Sequence, residues 1–214
     1  MFLDFLQFLS VIFPLLPVAV IAIKKNYRND PLNFLMILCV LNFTRNLLMV
    51  MPGVEVTARE VILHIFGFIE FIFLMLIFKF VVPVKNRTLV NIFFSVYLSV
   101  IITVLLLQGF GKEMPLLEIL QNSIIIFAGI LSVAKLGFGD NLDIFSRPLF
   151  WIAIGALFYF SIALLTQVLN NNFEYLTSDN NNGNLLLLII GNLAMYFFFL
   201  LAAFLYDHDH GRTE

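Results

Sequence analysis

The stretch Val61-Ile-Leu-His64-Ile-Phe-Gly67-Phe-Ile-Glu70-Phe-Ile-Phe-Leu-Met-Leu-Ile-Phe-Lys79-Phe-Val-Val82 decides the class of fold. Its only ionisable residues are His64, Glu70 and Lys79. A helix needs about 20 mostly apolar residues to cross the hydrocarbon core of a bilayer. This stretch meets that length, so it reads as a membrane span. Glu70 then sits near the middle of a span, where a charge is costly.

The rest of the chain has the same character. Of its 214 residues 61% are hydrophobic and 12% charged, and 26 are phenylalanine. Soluble domains carry about 25% charged residues and 45–50% apolar ones. A soluble monomer of this length buries only about 70% of its chain's surface. The composition therefore excludes a soluble enzyme and a disordered chain, and leaves an integral membrane protein in contact with lipid. A net charge of −2 offers no basic footprint for nucleic acid. The single cysteine, Cys39, excludes an intramolecular disulfide. The start, Met1-Phe2-Leu3-Asp4, has no basic residue before Lys24, so the first apolar run is expected to be a retained span rather than a signal peptide.

Seven runs have the length of a span: about 2–23, 32–51, 61–82, 89–108, 116–136, 149–169 and 185–206. They predict an all-α polytopic protein, a seven-transmembrane-helix bundle forming one domain over residues 1–214. Pro31, Pro52, Pro83, Pro115 and Pro148 mark run edges, where proline starts or stops a helix. Pro14 and Pro17 lie inside the first run and should kink it, with neighbours or water satisfying the freed carbonyls. One set of loops and span ends holds Lys24, Lys25, Arg28, Lys79, Lys85, Arg87, Lys135, Arg147 and Arg212; the other holds Arg59 and Lys112. The positive-inside rule then puts the N-terminus outside and the C-terminus in the cytoplasm. Trp151, Tyr175 and Tyr206 fall near span ends, as an aromatic belt requires. The connection from Asn170 to Asn184 reads as a flexible polar loop.

Polar residues within spans carry the functional information. Asn42, Arg45 and Asn46 share one face of span 2 by their i, i+3, i+4 spacing. Span 3 runs the other way and brings His64 and Glu70 to depths on either side of Arg45. An Arg45–Glu70 pair is expected, because an unpaired buried charge costs far more than a paired one. Span 5 adds Glu118, Gln121 and Asn122, span 6 adds Tyr159, Ser161, Thr166 and Gln167, and span 7 adds Asn192 and Tyr196. Gln7 and Ser10 lie in span 1. The inner halves of spans 3, 5 and 7 are apolar apart from Ser132 and boundary lysines. This asymmetry predicts a polar chamber opening outward, with candidate pocket residues Asn42, Arg45, Asn46, His64, Glu70, Gln121, Asn122, Tyr159 and Asn192. The plain alternative is that these groups are interhelical hydrogen bonds, worth about 0.6 kcal/mol each. Gly67, Gly129, Gly155 and Gly191 read as close-packing positions.

Other patterns carry less. Gly137-Phe138-Gly139-Asp140 lacks the strand and helix of a phosphate loop. The tail Asp207-His208-Asp209-His210 is a poor metal site at a mobile end. A retinal protein needs a lysine in the last span, which has none. One intramembrane histidine cannot supply three zinc ligands, so no metal and no cofactor is implied.

The segment from His64 to Phe71 resembles a "His, five residues, Glu-Phe" pattern in the third span of a family of small, uncharacterised seven-helix bacterial membrane proteins. Phe150-Trp-Ile-Ala-Ile-Gly155-Ala-Leu-Phe-Tyr159-Phe-Ser161 is similar to the sixth span of that family, and Asn184 through Asn192 to Tyr196 to its seventh. Asn46 falls where the family's second span commonly has a polar residue. Leu185 to Leu188 depart from the pattern, standing where a histidine and other polar residues are expected. Members are often encoded beside sensor histidine kinases. The resemblance implies a bacterial inner (cytoplasmic) membrane protein that signals through such a kinase or another membrane partner.

Three functions follow as expectations. The first is a sensor or receptor-like module whose outward pocket binds a small ligand or proton and acts through a partner. The second is an integral-membrane lipid-modifying enzyme, with Glu70 or His64 as general acid/base and Arg45 holding a head group. The third is a structural or interaction subunit.

Overall fold

The computed structural model describes residues 2–81, 87–108, 115–137, 144–172 and 181–206. Eight α-helices carry them: α1 (Phe2–Ile12), α2 (Leu15–Ile23), α3 (Asp30–Val50), α4 (Val56–Val81), α5 (Arg87–Gln108), α6 (Pro115–Gly137), α7 (Pro148–Asn172) and α8 (Asn181–Leu205). Among the described residues there is no strand. Among the described residues six segments are long and apolar enough to cross a membrane: Leu3–Ile23, Asp30–Val50, Thr57–Val81, Pro115–Gly137, Pro148–Leu169 and Gly183–Leu205. The seventh expected span, 89–108, is helical throughout as α5, and its described apolar stretch is the shorter Phe94–Val104.

Proline sets several of the boundaries. Pro115 and Pro148 open α6 and α7, and Pro31 lies in the first turn of α3. A first-turn residue has no helical use for its N–H, so proline costs nothing there. Pro52 follows the end of α3, and Gly53 then takes φ +88°, a left-handed turn that a side chain would strain. Two boundaries differ from expectation. α4 starts at Val56 rather than near 61, so Arg59 and Glu60 are helical. The asparagine-rich connection is shorter than its composition suggests. α7 runs on through Asn172 and α8 begins at Asn181, because repeated asparagines lower helix propensity without forbidding the helix. Tyr175, Pro83, the 138–140 part of the glycine-rich stretch and the Asp207–His210 tail lie outside the described residues.

The first span, expected to kink, is interrupted at residues 13–14, although Pro14 keeps helical dihedrals (φ −57°, ψ −25°) and the Phe13 N–H still bonds the Leu9 carbonyl at 2.9 Å. α1 ends at Ile12 and α2 starts at Leu15. Pro14 has no N–H for the carbonyl of Ser10, four residues back. That carbonyl instead accepts the side-chain amide of Asn46 in α3, at 3.1 Å. Pro17 likewise withholds a donor from the Phe13 carbonyl, which accepts the N–H of Leu16 at 3.1 Å.

Packing is tightest along α6, α7 and α8. A β-carbon on Gly129 would meet Leu157 at 2.8 Å, and one on Gly155 would meet the Met195 carbonyl at 3.0 Å. One on Gly191 would meet Ile162 at 3.2 Å. These three glycines let the helix backbones approach, as expected. Gly67 differs: its nearest neighbour is Gln121 at 3.7 Å, so a methyl group fits there. The core joins Phe71, Leu74, Ile77 and Phe78 of α4 with Tyr97 of α5, and Ile152, Ala153 and Ala156 of α7 with Met195, Phe199 and Ala202 of α8. Large apolar side chains also cover the outside: Ile23 is 80% exposed, Leu106 82% and Leu116 81%. Such a surface suits lipid, not water.

At one end of the bundle the α2–α3 corner grips the end of α8. Lys25 turns the chain with φ 57°. Lys24 Nζ donates to the Phe204 carbonyl and lies 5.9 Å from the centre of the Phe204 ring. Asn26 Nδ2 donates to the Tyr206 carbonyl at 3.0 Å, and Asn29 Nδ2 to the Tyr206 hydroxyl. Helix C-termini leave carbonyls unsatisfied, and a cation there also complements the helix dipole.

Candidate functional site

α3 and α4 cross so that the polar face of one meets the acidic position of the other. Arg45 Nη1 pairs with Glu70 Oε2 at 3.1 Å. Asn42 Nδ2 donates to Glu70 Oε1 at 2.9 Å. One turn of α3 thus holds both carboxylate oxygens, as its i, i+3 spacing allows. Glu70 is 3% exposed and Arg45 9%. Arg45 Nε lies 3.4 Å from Asn46 Oδ1, and Asn46 Nδ2 reaches the Ser10 carbonyl. A single polar chain therefore runs from Glu70 through Arg45 and Asn46 to the broken turn of the first span.

Beside this pair lies an open cleft of about 470 Å³. Arg45, His64, Glu70, Gln121, Asn122 and Tyr159 line it, which brings six of the nine expected residues to one space. Asn42 and Asn46 are not on its wall; they hold the ion pair and the proline break. Asn192 does not line it either. Its Oδ1 and the hydroxyl of the fully buried Tyr196, one turn further along α8, are buried without a hydrogen-bond partner among the described residues. Ser161 points outward and is exposed, because its place on α7 is turned away from the polar face. Ser10 is locally satisfied, its hydroxyl donating to the Gln7 carbonyl at 2.7 Å.

The cleft recruits residues that the sequence did not single out as site residues. Glu118, Thr166 and Gln167 line it, together with Glu60 and Tyr97. Gln167 Nε2 donates to Glu118 Oε2, and Asn122 Nδ2 approaches Gln167 Oε1 at 3.4 Å. This clamp joins the start of α6 to the end of α7. Tyr97 donates its hydroxyl to Gln121 Oε1, and Gln121 Nε2 donates to the Gly67 carbonyl at 3.0 Å. With α4 starting at Val56, Glu60 lies four residues before His64 on the same face, a spacing the sequence itself carries. Tyr97, alone on α5, gave no periodic signal.

Electrostatically the walls are acidic. Among the described residues of the lining, Glu60, Glu70 and Glu118 stand with Arg45 as the one arginine or lysine; Arg45 is engaged by Glu70, and Glu118 accepts from Gln167. Tyr97, Tyr159 and Phe160 add aromatic surface. Thr166 donates its hydroxyl to the Ala163 carbonyl at 2.9 Å, so it is held by its own helix rather than by a base. Among the described residues no three His, Cys, Asp or Glu side chains come together as a metal site. Compared with family models, curated proteins and solved structures, the chain matches none.

Proposed function

We propose that this chain is a receptor-like membrane module whose polar cleft binds a small cationic ligand and which signals through a membrane partner. The observation that carries the proposal is the buried Arg45–Glu70 pair on the wall of a cleft with further carboxylates at Glu60 and Glu118. A buried ion pair is a poor source of stability, since apolar residues of similar size do as well. Its cost at this place therefore calls for a role. An excess of carboxylate raises the local concentration of cations, and aromatic walls hold an ammonium group.

In this reading all seven helical spans cross the membrane, with the N-terminus outside and the C-terminus in the cytoplasm. The uneven split of lysine and arginine supports that orientation. The cleft then opens outward, at the end of the bundle where α4 and α6 begin. The resemblance of the His64–Phe71 and Phe150–Ser161 segments to proteins encoded beside sensor kinases supports a kinase as partner and a bacterial cytoplasmic membrane as location. The lipid-modifying reading has less behind it: Thr166, the one aliphatic hydroxyl among the described lining residues, donates to a backbone carbonyl of its own helix.

The test is ligand-induced stabilisation of the purified protein in detergent against choline, alkylamines and matched neutral alcohols. Amines should raise the melting temperature and the alcohols should not. Glu118→Gln should remain folded and lose the effect, and Glu70→Gln should lose it at a cost in stability, since Arg45 then lacks its charged partner. Amine stabilisation of equal size in both variants, or none in the wild type, would refute a cationic ligand in this cleft.

A further inference from the structure

We propose that α2 is a lever that carries the state of the Arg45–Glu70 pair to the end of α8; this rests on the receptor reading of the cleft. Three observations meet in it. Glu70, Arg45, Asn46 and the Ser10 carbonyl are joined in sequence by polar contacts of 3.1, 3.4 and 3.1 Å. The last of these acceptors is the carbonyl that Pro14 leaves open, so the connection ends on the broken turn. Beyond the break, α2 ends in the corner whose Lys24, Asn26 and Asn29 hold Phe204 and Tyr206.

The physical requirement for a lever is a hinge that bends without losing backbone hydrogen bonds. The break meets it in that Pro14 and Pro17 remove the four-back bonds to the Ser10 and Phe13 carbonyls, leaving the Leu16 N–H to Phe13 bond of 3.1 Å and the Asn46 amide to hold the turn. Asn46 is then the grip that sets the bend. When Glu70 releases Arg45, the guanidinium is free to turn, its Nε contact with Asn46 changes, and the hold on Ser10 changes with it. A bend of about 10° over the roughly 14 Å from Leu15 to Lys24 moves the far end of α2 by about 2 Å. Rigid helices pass on shifts of this size because packed interfaces switch between discrete arrangements. The corner transmits the shift directly, since it bonds the last carbonyls of α8 and not a flexible side chain alone. That end of α8 is the one that faces the cytoplasm in the proposed orientation, where a partner would read it.

The experiment measures spin-label distances in the full chain in lipid nanodiscs. Labels go on Leu205→Cys and Lys135→Cys, at exposed ends of α8 and α6, in a Cys39→Ala background. Glu70→Gln should shift the Leu205–Lys135 distance by about 2 Å. Adding Pro14→Ala restores an N–H to Ser10, frees Asn46, and should abolish the shift. Arg45→Lys is the second perturbation: it keeps the charge beside Glu70, removes Nε, and should reproduce the shift where Glu70→Gln fails to fold. A wild-type distance in both variants would overturn the lever, as would a shift that survives Pro14→Ala. Amine stabilisation with immobile labels would sink the lever alone. Moving labels without amine stabilisation would sink the receptor reading and leave the lever standing.

Discussion

The side-chain amide of Asn46 donates to the backbone carbonyl of Ser10 at 3.1 Å, taking the place of the N–H that Pro14 lacks. Two residues 36 positions apart thus repair one turn of helix. In the proposed membrane setting no water would compete for that carbonyl, so its partner has to come from the protein.

This relationship gives a thermodynamic cycle. Asn46→Ala should lower stability by about 0.6–2 kcal/mol, the range measured for polar contacts between membrane helices. In a Pro14→Ala background, where residue 14 can itself donate to Ser10, the same change should cost clearly less. Thermal unfolding in detergent of the four proteins measures the coupling. Equal losses in both backgrounds would mean that the amide does not serve the proline break.

The ion pair gives a second prediction. Arg45→Met or Glu70→Leu alone leaves one buried charge without its partner and should cost about 3–5 kcal/mol. The double substitution should recover most of that stability, because two apolar side chains replace a desolvated pair. It should nevertheless lose the response to amines. A double variant as responsive as the wild type would reduce the pair to a structural element.

Close packing can be tested by adding single methyl groups. Gly129→Ala places a β-carbon 2.8 Å from Leu157 and should destabilise by about 1–3 kcal/mol. Leu157→Ala, which clears that contact, should offset part of the loss. Gly67→Ala is the control, because its nearest neighbour is 3.7 Å away, and it should unfold within a degree or two of the wild type. Chemical denaturation of the three variants separates these outcomes.

Orientation is open to a labelling test. In a Cys39→Ala background, Glu60→Cys should react in intact cells with a maleimide that cannot cross membranes. Lys135→Cys should react only after the membrane is opened. The reverse pattern would invert the topology and turn the cleft toward the cytoplasm.

How much of this was legible in the chain differs from element to element. The span at residues 61–82 was evident because nothing else explains so long an apolar run, and α4 covers it through Val81. The proline edges were evident for the same local reason: a missing N–H acts on its own helix wherever the chain folds. The pairing of Arg45 with Glu70 followed from depth and cost, and the 3.1 Å contact bears it out. Which polar groups share the cleft was less legible. Asn46 and Asn192 have spacings as regular as those of Gln121 and Asn122, yet only the latter two line it.

What the sequence determined by itself is the class of the protein and the few positions where polarity is too costly to be incidental. Those depend on composition and on short-range geometry, which each residue carries with it. What only the tertiary structure decided is the use to which each polar group is put. Asn42 holds Glu70, Asn46 repairs the Pro14 break, and Glu118 joins Gln167 across α6 and α7. The physical reason is that a helix offers each side chain a direction but not a partner. Partners are set by how the helices rotate and cross, and that is fixed by close contacts such as Gly129 on Leu157 and Gly155 on Met195, spread across the whole bundle.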